Sequence, residues 1–389
     1  MIVGVPKEPI AGELRVAATP ESVKQLVAAG LQVSVEKGAG EAAGYSDESF
    51  RAAGASISKS FSPAAIDVLA HVRPLAPAVI KKLRKGSVTV GLASPASELN
   101  SVKALRDAKI TSFSMELVPR ISRAQSMDAL TSQALVAGYR CVLEAASRLP
   151  RFFPLYMTAA GTVPPATVLV LGAGVAGLQA IATAKRLGAK VNAYDVRSAS
   201  ADEVRSMGGN FIELDLDVSA DGAGGYAKEL AADRVKMQQE LLTPFVSGAD
   251  VIITTAAIPG RPAPRLITSK MMNDMKSGSV VIDLAAETGG NVEGSRPGAD
   301  VMVKVGKSGG IVTLVGMKDV ASAMAFDASR LYAKNIANLL ELMVTSGKVD
   351  PDFEDEVVEG ACLTHDGQVM HGPTAEAITS ASGSKKGSK

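Results

Sequence analysis

The sequence predicts an α/β fold: two Rossmann-like domains with mostly parallel sheets, joined by a long helix and a cleft. Three observations lead to this prediction. At 389 residues the chain is longer than one ordinary core, so two domains are expected. Short apolar runs alternate with helical stretches, which is typical of βαβ units. The composition, with 47% hydrophobic residues, 4% aromatic residues and 37 glycines, is that of an α/β enzyme rather than a disordered chain.

The first elements are expected within residues 1–120. "MIVGVP", "PESVKQLVAAG" and "LQVSVEKGAG" predict a strand, a helix and a second strand. After this region, "SRAQSMDALTSQALVAGYRCVLEAASRLP" has apolar residues at spacings of three and four over several turns. We expect one long helix here, joining the two domains.

A second βα series follows this helix. It consists of "TVLVLGAGVAGLQAIATAKRLGA", "KVNAYDV", "NFIEL", "ADVIITTA", "SVVIDLA", "DVMVKV" and "GIVTLVG". Beyond residue 317, "ASRLYAKNIANLLELMVTSG" predicts a helix that returns to the first domain. The predicted domains are therefore 1–124 with 318–380, and 125–317, which includes the linking helix. The polar residues 381–389 are expected to be a disordered tail.

Charge and cysteine content limit the possible partners. A net charge of +1 gives no electrostatic footprint for nucleic acid, so no nucleic-acid partner is expected. Two cysteines, Cys141 and Cys362, cannot build a disulfide framework or a thiolate metal cluster, and no metal site is expected. The N-terminus has no signal-peptide pattern, and no apolar run reaches the roughly 18 residues of a membrane span. We expect a soluble protein of a reducing compartment that binds small molecules or other proteins.

A glycine-rich turn is the strongest local motif. In "VLVLGAGVAGLQA", an apolar strand runs into Gly172, Gly174 and Gly177, where a helix begins. The first glycine allows a tight turn, the second lets the backbone approach a pyrophosphate, and the third allows helix and strand to pack closely. Free N–H groups at the start of the helix then bind the phosphate charge. The alternative is an αβ unit whose glycines serve packing alone.

Asp195 ends the next predicted strand, where a carboxylate can accept the hydroxyls of the adenosine ribose. Its charge would repel a 2′-phosphate, which favours NAD over NADP. Arg197 could instead pair with a 2′-phosphate, or make a pyrophosphate or surface contact. The candidate cofactor-binding residues of this motif are Gly172, Gly174, Val175, Gly177, Asp195, Val196 and Arg197.

The acid–base groups that a complete dehydrogenase needs are not evident. Such an enzyme moves a proton as well as a hydride and usually positions a His, a Lys or a metal for this purpose. The chain has three histidines, His71, His365 and His371, and each is expected to be structural or solvated. The sequence thus indicates a site for a hydride carrier without an obvious acid or base.

Several longer stretches resemble a known family. They are "GVPKE", "LRVAATPESV", "VPRISRAQSMDAL", "TAAGTVPPATVLVLGAGVAGLQAIATAKRLGA", "GGYAKE", "IPGRPAPRLIT" and "GSVVIDLAAETGGN", and they extend to about residue 370. The chain resembles the alanine dehydrogenase/transhydrogenase family, and within it the NAD(H)-binding components of proton-translocating NAD(P) transhydrogenases. "PRISRAQSMD" is the segment that distinguishes the transhydrogenase branch from the alanine dehydrogenase branch.

The resemblance implies roles for a loop before the long helix. In transhydrogenases this loop holds the nicotinamide end of NAD(H), and Arg120, Gln125 and Asp128 match its catalytic positions. Arg123 and Thr131 are further cofactor-binding candidates, although Arg123 can also be interpreted as a solvated neighbour. The alternative for the whole cluster is an ordinary helix N-terminus with capping and solvated charge.

The resemblance also implies a mobile loop that closes over the nucleotide, matched by "DVSADGAGGYAKE". Gly225 would keep this loop flexible, and Tyr226 would pack on the adenosine side. The alternative is an exposed linker with an incidental tyrosine. Ala257 is expected at a strand end near the nicotinamide pocket, where open α/β sheets bind ligands.

The function implied is hydride exchange between NADH on this chain and NADP⁺ on a partner component, coupled to proton translocation by a membrane part. The resemblance also implies a homodimer, held by its partners at the cytoplasmic face of a bacterial inner membrane or at the mitochondrial matrix side. Two alternatives stay open: a complete alanine dehydrogenase-like amino-acid dehydrogenase, and a non-catalytic NAD sensor. The first is disfavoured because the family's substrate lysine and catalytic histidine are missing, so Arg15, which matches its carboxylate-binding arginine, is expected to be structural.

Overall fold

The computed structural model describes residues 1–215, 232–258 and 261–383. The chain forms two compact units: Met1–Gln133 with the segment from Ser322 onward, and Ala134–Ala321. The sequence placed the first boundary after residue 124 and the second after residue 317. The first boundary lies later because Ala124, Met127 and Ala129 are buried in the hydrophobic core of the first unit.

The helices and strands are numbered along the chain. The first unit begins with β1 (Ile2–Val5), α1 (Pro20–Ala28), β2 (Gln32–Glu36), α2 (Asp47–Ala52), β3 (Ser56–Ser58), β4 (Val68–Ala70), α3 (Pro77–Ile80), β5 (Val88–Gly91), α4 (Leu99–Asp107) and β6 (Thr111–Ser114). The long helix α5 spans Ala129–Arg148, and the unit boundary falls within it.

The second unit continues after α5. Its elements are β7 (Tyr156–Thr158), β8 (Gly161–Val163), β9 (Thr167–Leu171), α6 (Val175–Arg186), β10 (Lys190–Tyr194), α7 (Ser200–Ser206), β11 (Asn210–Phe211), α8 (Ala232–Gly248), β12 (Val251–Thr254), α9 (Ser269–Met272), β13 (Val280–Asp283), β14 (Ala299–Val305) and β15 (Gly310–Gly316).

The chain then returns to the first unit. The returning elements are α10 (Ala325–Leu342), β16 (Val344–Thr345), β17 (Lys348–Val349), α11 (Glu356–Ala361), β18 (Cys362–His365), β19 (Gln368–Val369) and α12 (Gly372–Gly383). Helix α12 includes residues 381–383, which the sequence assigned to a disordered tail; residues 384–389 lie outside the described ranges. Short 3₁₀ helices span Glu41–Ala43, Pro63–Ala65, Ser122–Met127, Ala286–Thr288 and Ser322–Met324.

Both units contain a doubly wound sheet. In the first the strand order is β3-β2-β1-β4-β5-β6-β18-β19, parallel from β3 to β6, with β18 antiparallel to β6. In the second it is β11-β10-β9-β12-β13-β15-β14, and only the edge strand β14 is antiparallel. Each order reverses at its first strand, between β1 and β4 and between β9 and β12, which is the Rossmann topology. The predicted fold class of two Rossmann-like, mostly parallel units is confirmed.

The strands of the second unit are apolar throughout because helices cover both faces of the sheet. In β9, Val168 and Val170 face one hydrophobic cluster, whereas Leu169 and Leu171 face the other, and all four are at most 1% exposed. This packing fixes the carboxyl ends of β9 and β12, where such sheets bind ligands. Within the three described ranges, no helix combines the length and apolarity needed to cross a membrane.

Candidate nucleotide-binding site

The glycine turn after β9 has the geometry that the sequence predicted. Gly172 has a φ of +97°, in the left-handed region, and Gly174 is the N-cap of α6. A Cβ on Gly172 would lie 2.8 Å from Thr255 Oγ1, and a Cβ on Gly177 would lie 1.9 Å from the carbonyl oxygen of Gly172. These two glycines are therefore required by packing between the protein's own strands and helix.

Gly174 differs from its two neighbours in the motif. A Cβ built on it meets nothing within 4 Å, and the residue is exposed. Its backbone thus borders open space at the start of α6, whose first helical hydrogen bond runs from Leu178 N to the Gly174 carbonyl oxygen at 2.8 Å. The N–H groups of the first turn, beginning at Val175, point toward this end of the helix. The turn fits a pyrophosphate, which needs close backbone approach and N–H donors.

Asp195 lies directly after β10, beside this turn. Its Oδ2 accepts a hydrogen bond from Ala173 N at 2.7 Å, so the carboxylate also holds the glycine turn in place. Its Oδ1 accepts from Arg197 N at 2.9 Å. The guanidinium of Arg197 lies on both oxygens, with Nε 2.8 Å from Oδ1 and Nη2 2.9 Å from Oδ2. Sequence reasoning found the carboxylate but missed this pair, for which the only signal was the Asp-x-Arg spacing.

Two further predicted residues of the second unit lie near the switch point or the strand that precedes it. Val196 is half-buried against the core, and Ala257 is exposed in the segment after β12. That segment is held by Asn291, which is fully buried and donates from Nδ2 to the carbonyl oxygens of Ala256 at 2.9 Å and Pro264 at 2.8 Å. Sequence reasoning assigned no role to Asn291. Gly225 and Tyr226 lie outside the described residues.

The loop before α5 belongs to the first unit. Ala124 and Met127 of its 3₁₀ turn are buried, while Arg120, Arg123 and Gln125 are exposed. The turn is thus anchored by its apolar residues and presents its polar ones to the outside.

Asp128 acts as a cap for α5. Its Oδ1 accepts a hydrogen bond from Thr131 N at 2.9 Å, and its Oδ2 accepts from Thr131 Oγ1 at 2.6 Å. A carboxylate at this position satisfies free N–H groups of the first helical turn and is stabilised by the helix dipole. The hydroxyl of Thr131 therefore fixes the orientation of the Asp128 carboxylate.

Arg123 makes a long-range ion pair. Its Nη1 and Nη2 donate to Asp355 Oδ2 at 2.9 Å and Oδ1 at 2.7 Å, and its Nε donates to Glu356 at 3.3 Å. The hydrogen bonds from Arg123 lower the pKa of Asp355 to about 2. Asp355 also caps α11 through Val357 N. The guanidinium, a cofactor-binding candidate in the sequence, thus ties the loop to the start of α11.

Two amide side chains of α10 hold the same loop. The Nδ2 atoms of Asn335 and Asn338 donate to the Ser126 carbonyl oxygen at 2.8 and 3.0 Å. The Oδ1 of Asn335, in turn, accepts from Ser132 Oγ at 2.7 Å. Sequence reasoning missed both asparagines because they lie 209 and 212 residues from their acceptor.

The three histidines have structural contacts. His71 is buried, with Nδ1 2.8 Å from the Arg73 carbonyl oxygen, and burial lowers its pKa to about 4. His365 Nδ1 lies 3.1 Å from Thr111 Oγ1, and His371 Nδ1 lies 2.8 Å from Thr374 Oγ1. None of these environments is that of a proton donor poised near neutral pH.

Arg15 lies in a buried ionic cluster of the first unit. Its Nε and Nη2 donate to the two oxygens of Glu13 at 2.8 and 2.7 Å, and its Nη1 donates to Gln133 at 2.8 Å. Arg73 Nε lies 2.6 Å from the same Glu13 carboxylate, whose side chain is fully buried. The Arg15 guanidinium thus has protein partners on both sides, as its expected structural role requires.

The cysteines and acidic groups show no metal chemistry. Cys141 and Cys362 are buried, and burial raises the pKa of both thiols to about 12, so they are uncharged at neutral pH. Among the described residues, no group of three His, Cys, Asp or Glu side chains could hold a metal ion.

Comparison with known proteins agrees with this architecture. Models of the N-terminal and C-terminal domains of the alanine dehydrogenase/PNT family match residues 4–137 and 141–372. An NAD(P) transhydrogenase subunit alpha from Rhodospirillum rubrum is 48% identical over 387 residues, covering 95% of this chain and 98% of the relative. The crystal structure of a transhydrogenase from Sinorhizobium meliloti is 43% identical, with a TM-score of 0.83 over 96% of this chain and 100% of that one.

Alanine dehydrogenases are more distant. Alanine dehydrogenase 1 from Staphylococcus aureus is 30% identical over 307 residues, covering 76% of each chain. The resemblance drawn from the sequence is thereby confirmed, including its preference for the transhydrogenase branch. The chain belongs to the alanine dehydrogenase/PNT family.

Proposed function

We propose that this chain is the NAD(H)-binding component of a proton-translocating NAD(P) transhydrogenase. It exchanges hydride between NADH on its own surface and NADP⁺ held by a partner component. The observation that carries this proposal is the glycine turn after β9, which keeps open space at Gly174 and has Asp195 beside it. The 48% identity to a transhydrogenase subunit over 95% of the chain favours this reaction over amino-acid oxidation.

Each part of the nucleotide has a proposed binding group. The N–H groups at the start of α6 bind the pyrophosphate, with Gly172, Gly174, Val175 and Gly177 forming the turn, and Asp195 and Val196 face the adenosine ribose. Gly225 and Tyr226 would cover the adenosine side, and Ala257 would line the nicotinamide pocket. Arg120, Gln125 and Asp128 position the nicotinamide end, because an exposed guanidinium and amide on an anchored turn can donate and accept hydrogen bonds.

The chain's residues act in this reaction by positioning. Bound NADH supplies a hydride, and its direct transfer to a second nicotinamide requires no proton at the reacting carbons. The protein has to hold the ring at a fixed distance and exclude water. Thr131 orients Asp128, and Arg123 and Asn335 hold the loop that carries Gln125. The structural contacts of all three histidines agree with a reaction that needs no general acid.

The partners implied are an NADP(H)-binding component, a membrane-spanning component and a second copy of this chain. The membrane component would couple hydride exchange to proton movement and hold this chain at the cytoplasmic face of a bacterial inner membrane, or at the mitochondrial matrix side. An exposed apolar hairpin, β7–β8 with the residues just before it, supports self-association. Its exposed side chains are Phe152 (56%), Leu155 (51%), Tyr156 (46%) and Met157 (77%).

The test mixes the purified chain, NADH, an NADP⁺ analogue and the NADP(H)-binding component of a transhydrogenase. We expect hydride exchange that requires the partner and falls at least about tenfold in Gln125→Asn. Gln32→Asn, a matched change on an exposed strand position, should leave the rate unchanged. Reduction of NAD⁺ by alanine without the partner would support the dehydrogenase instead. Saturable NADH binding without exchange would support a sensor.

A further inference from the structure

The carboxylate proposed to bind the ribose already has a full set of donors. A carboxylate offers about four lone-pair directions, two on each oxygen. On Asp195, Oδ1 accepts from the N and Nε of Arg197, and Oδ2 accepts from Ala173 N and Arg197 Nη2. The four distances lie between 2.7 and 2.9 Å, and the Asp195 side chain is only 7% exposed. No acceptor position is left for the ribose while this arrangement lasts.

Two of these four donors can be replaced without moving the backbone. The N–H groups of Ala173 and Arg197 belong to the glycine turn and to the chain after β10. The other two, Nε and Nη2 of Arg197, belong to one side chain that is 17% exposed. An adenosine ribose presents two hydroxyl donors, at its 2′ and 3′ positions. The ribose hydroxyls and the guanidinium therefore compete for the same two acceptor positions.

We propose that Arg197 is a specificity-determining residue of this site. Its guanidinium occupies the ribose positions on Asp195 and must leave them when NAD(H) binds. Because Arg197 is only two residues from Asp195, the displaced cation stays beside the 2′ position of the ribose. This inference rests on the proposed function, since it assumes that the ribose of a dinucleotide binds at Asp195.

Two consequences for affinity follow. The ion pair lowers the apparent affinity for NADH, because only molecules in which Arg197 has moved away can bind. For NADPH, a 2′-phosphate would pair with the displaced guanidinium while Asp195 repels it. Arg197 thus weakens discrimination against NADPH that Asp195 alone would provide.

The test measures the dissociation constants of NADH and NADPH by calorimetry for the full chain and for Arg197→Ala. We expect NADH to bind about tenfold more tightly to the variant, which corresponds to the loss of a modest competing interaction. NADPH should bind more weakly, because its 2′-phosphate loses the cation and still faces Asp195. The matched control is Arg205→Ala, which removes an exposed arginine that pairs with Asp202 and Glu213 on the neighbouring helix. It should change neither constant.

Other outcomes would overturn the inference. Equal weakening of NADH and NADPH in Arg197→Ala would make Arg197 an ordinary ligand, and unchanged constants would make the ion pair irrelevant to binding. If Arg197→Ala does not fold, as judged by circular dichroism, Arg197→Gln carries the test. Gln keeps a polar side chain but lacks the charge and the fork, so the preference for NADH should still rise. Failure of the unaltered chain to bind NADH would contradict the proposed function itself, and this inference with it.

Discussion

The three glycines of the turn after β9 illustrate how much a single hydrogen atom in place of a side chain can decide. Gly177 has no room for a Cβ because the Gly172 carbonyl oxygen would lie 1.9 Å away, whereas Gly174 borders open space. Sequence reasoning identified both positions from the motif alone, since the spacing of the glycines after an apolar strand is a local signal. It could not tell which glycine serves packing and which serves the ligand, because that depends on Thr255 and on the strand that precedes it.

These two glycines give a paired prediction. Gly177→Ala should lower the free energy of unfolding by about 1–3 kcal/mol, because overpacking against backbone outweighs a helix-propensity gain of about 1 kcal/mol. Gly174→Ala should change stability less but weaken NADH binding, because the methyl group enters the space proposed for the pyrophosphate. Urea unfolding and NADH titration of both variants measure the two effects. Equal stability losses would contradict the assigned division of roles.

The contact between Arg123 and Asp355 predicts a pH dependence. The folded-state pKa of Asp355 is about 2, below its ordinary value of 3.8. A depressed carboxylate pKa stabilises the fold above the unfolded-state value, and this contribution is lost as the pH falls through the folded-state value. The melting temperature of Arg123→Ala should therefore lie below that of the unaltered chain at pH 7, and the difference should shrink between about pH 4 and pH 2. A difference that grows on acidification would show that the pair is not the cause.

At the scale of elements, the predicted alternation of strands and helices corresponds to the structure, and the long helix spans Ala129–Arg148. Two features were missed. "DVMVKV" and "GIVTLVG" were taken as members of the parallel series, but β14 pairs with β15 in antiparallel order, because a short turn links them. The contacts that fix the loop before α5 were also missed, since Asp355 lies 232 residues from Arg123 and local patterns carry no information at that distance.

The loop before α5 should depend on Asn335. This side chain is 7% exposed and bonds to both Ser126 and Ser132, so Asn335→Ala leaves buried polar groups without a partner. We expect a stability loss of about 1–3 kcal/mol. We also expect slower hydride exchange with an unchanged NADH dissociation constant, because the nucleotide would still bind at the turn after β9.

Asn338→Ala provides the matched control for this prediction. Its amide donates to the same Ser126 carbonyl oxygen at 3.0 Å but is more exposed, so water can replace it. Its effect on exchange, followed under the same conditions, should be smaller than that of Asn335→Ala. Equal effects would mean that burial of Asn335 does not govern the loop.

At the scale of the whole molecule, two sheets of the same Rossmann order occur in one chain, and each has its own hydrophobic core. This organisation could be predicted from length and periodicity. The hairpin β7–β8 could not, because its strands are three residues long and all but one of their side chains are exposed. An isolated hairpin of this kind is only marginally stable in water, which supports a role in contacting another chain.

The hairpin predicts the oligomeric state. Met157→Asp places a charge on a side chain that is 77% exposed, and it should convert a dimer to a monomer in sedimentation velocity. Met207→Asp, at a position that is 42% exposed on a different element, should leave the dimer intact. A dimer that survives Met157→Asp would place the contact between copies elsewhere.

The central claim is that hydride passes directly from a nicotinamide on this chain to one on a partner, without acid–base groups. The most direct measurement uses NADH deuterated at C4 with NADP⁺ on the partner component and follows the label by mass spectrometry. Direct transfer predicts that the deuterium appears in NADPH, that none is lost to solvent, and that transfer requires the partner. Loss of the label to water, or its transfer to pyruvate in the absence of the partner, would contradict the claim.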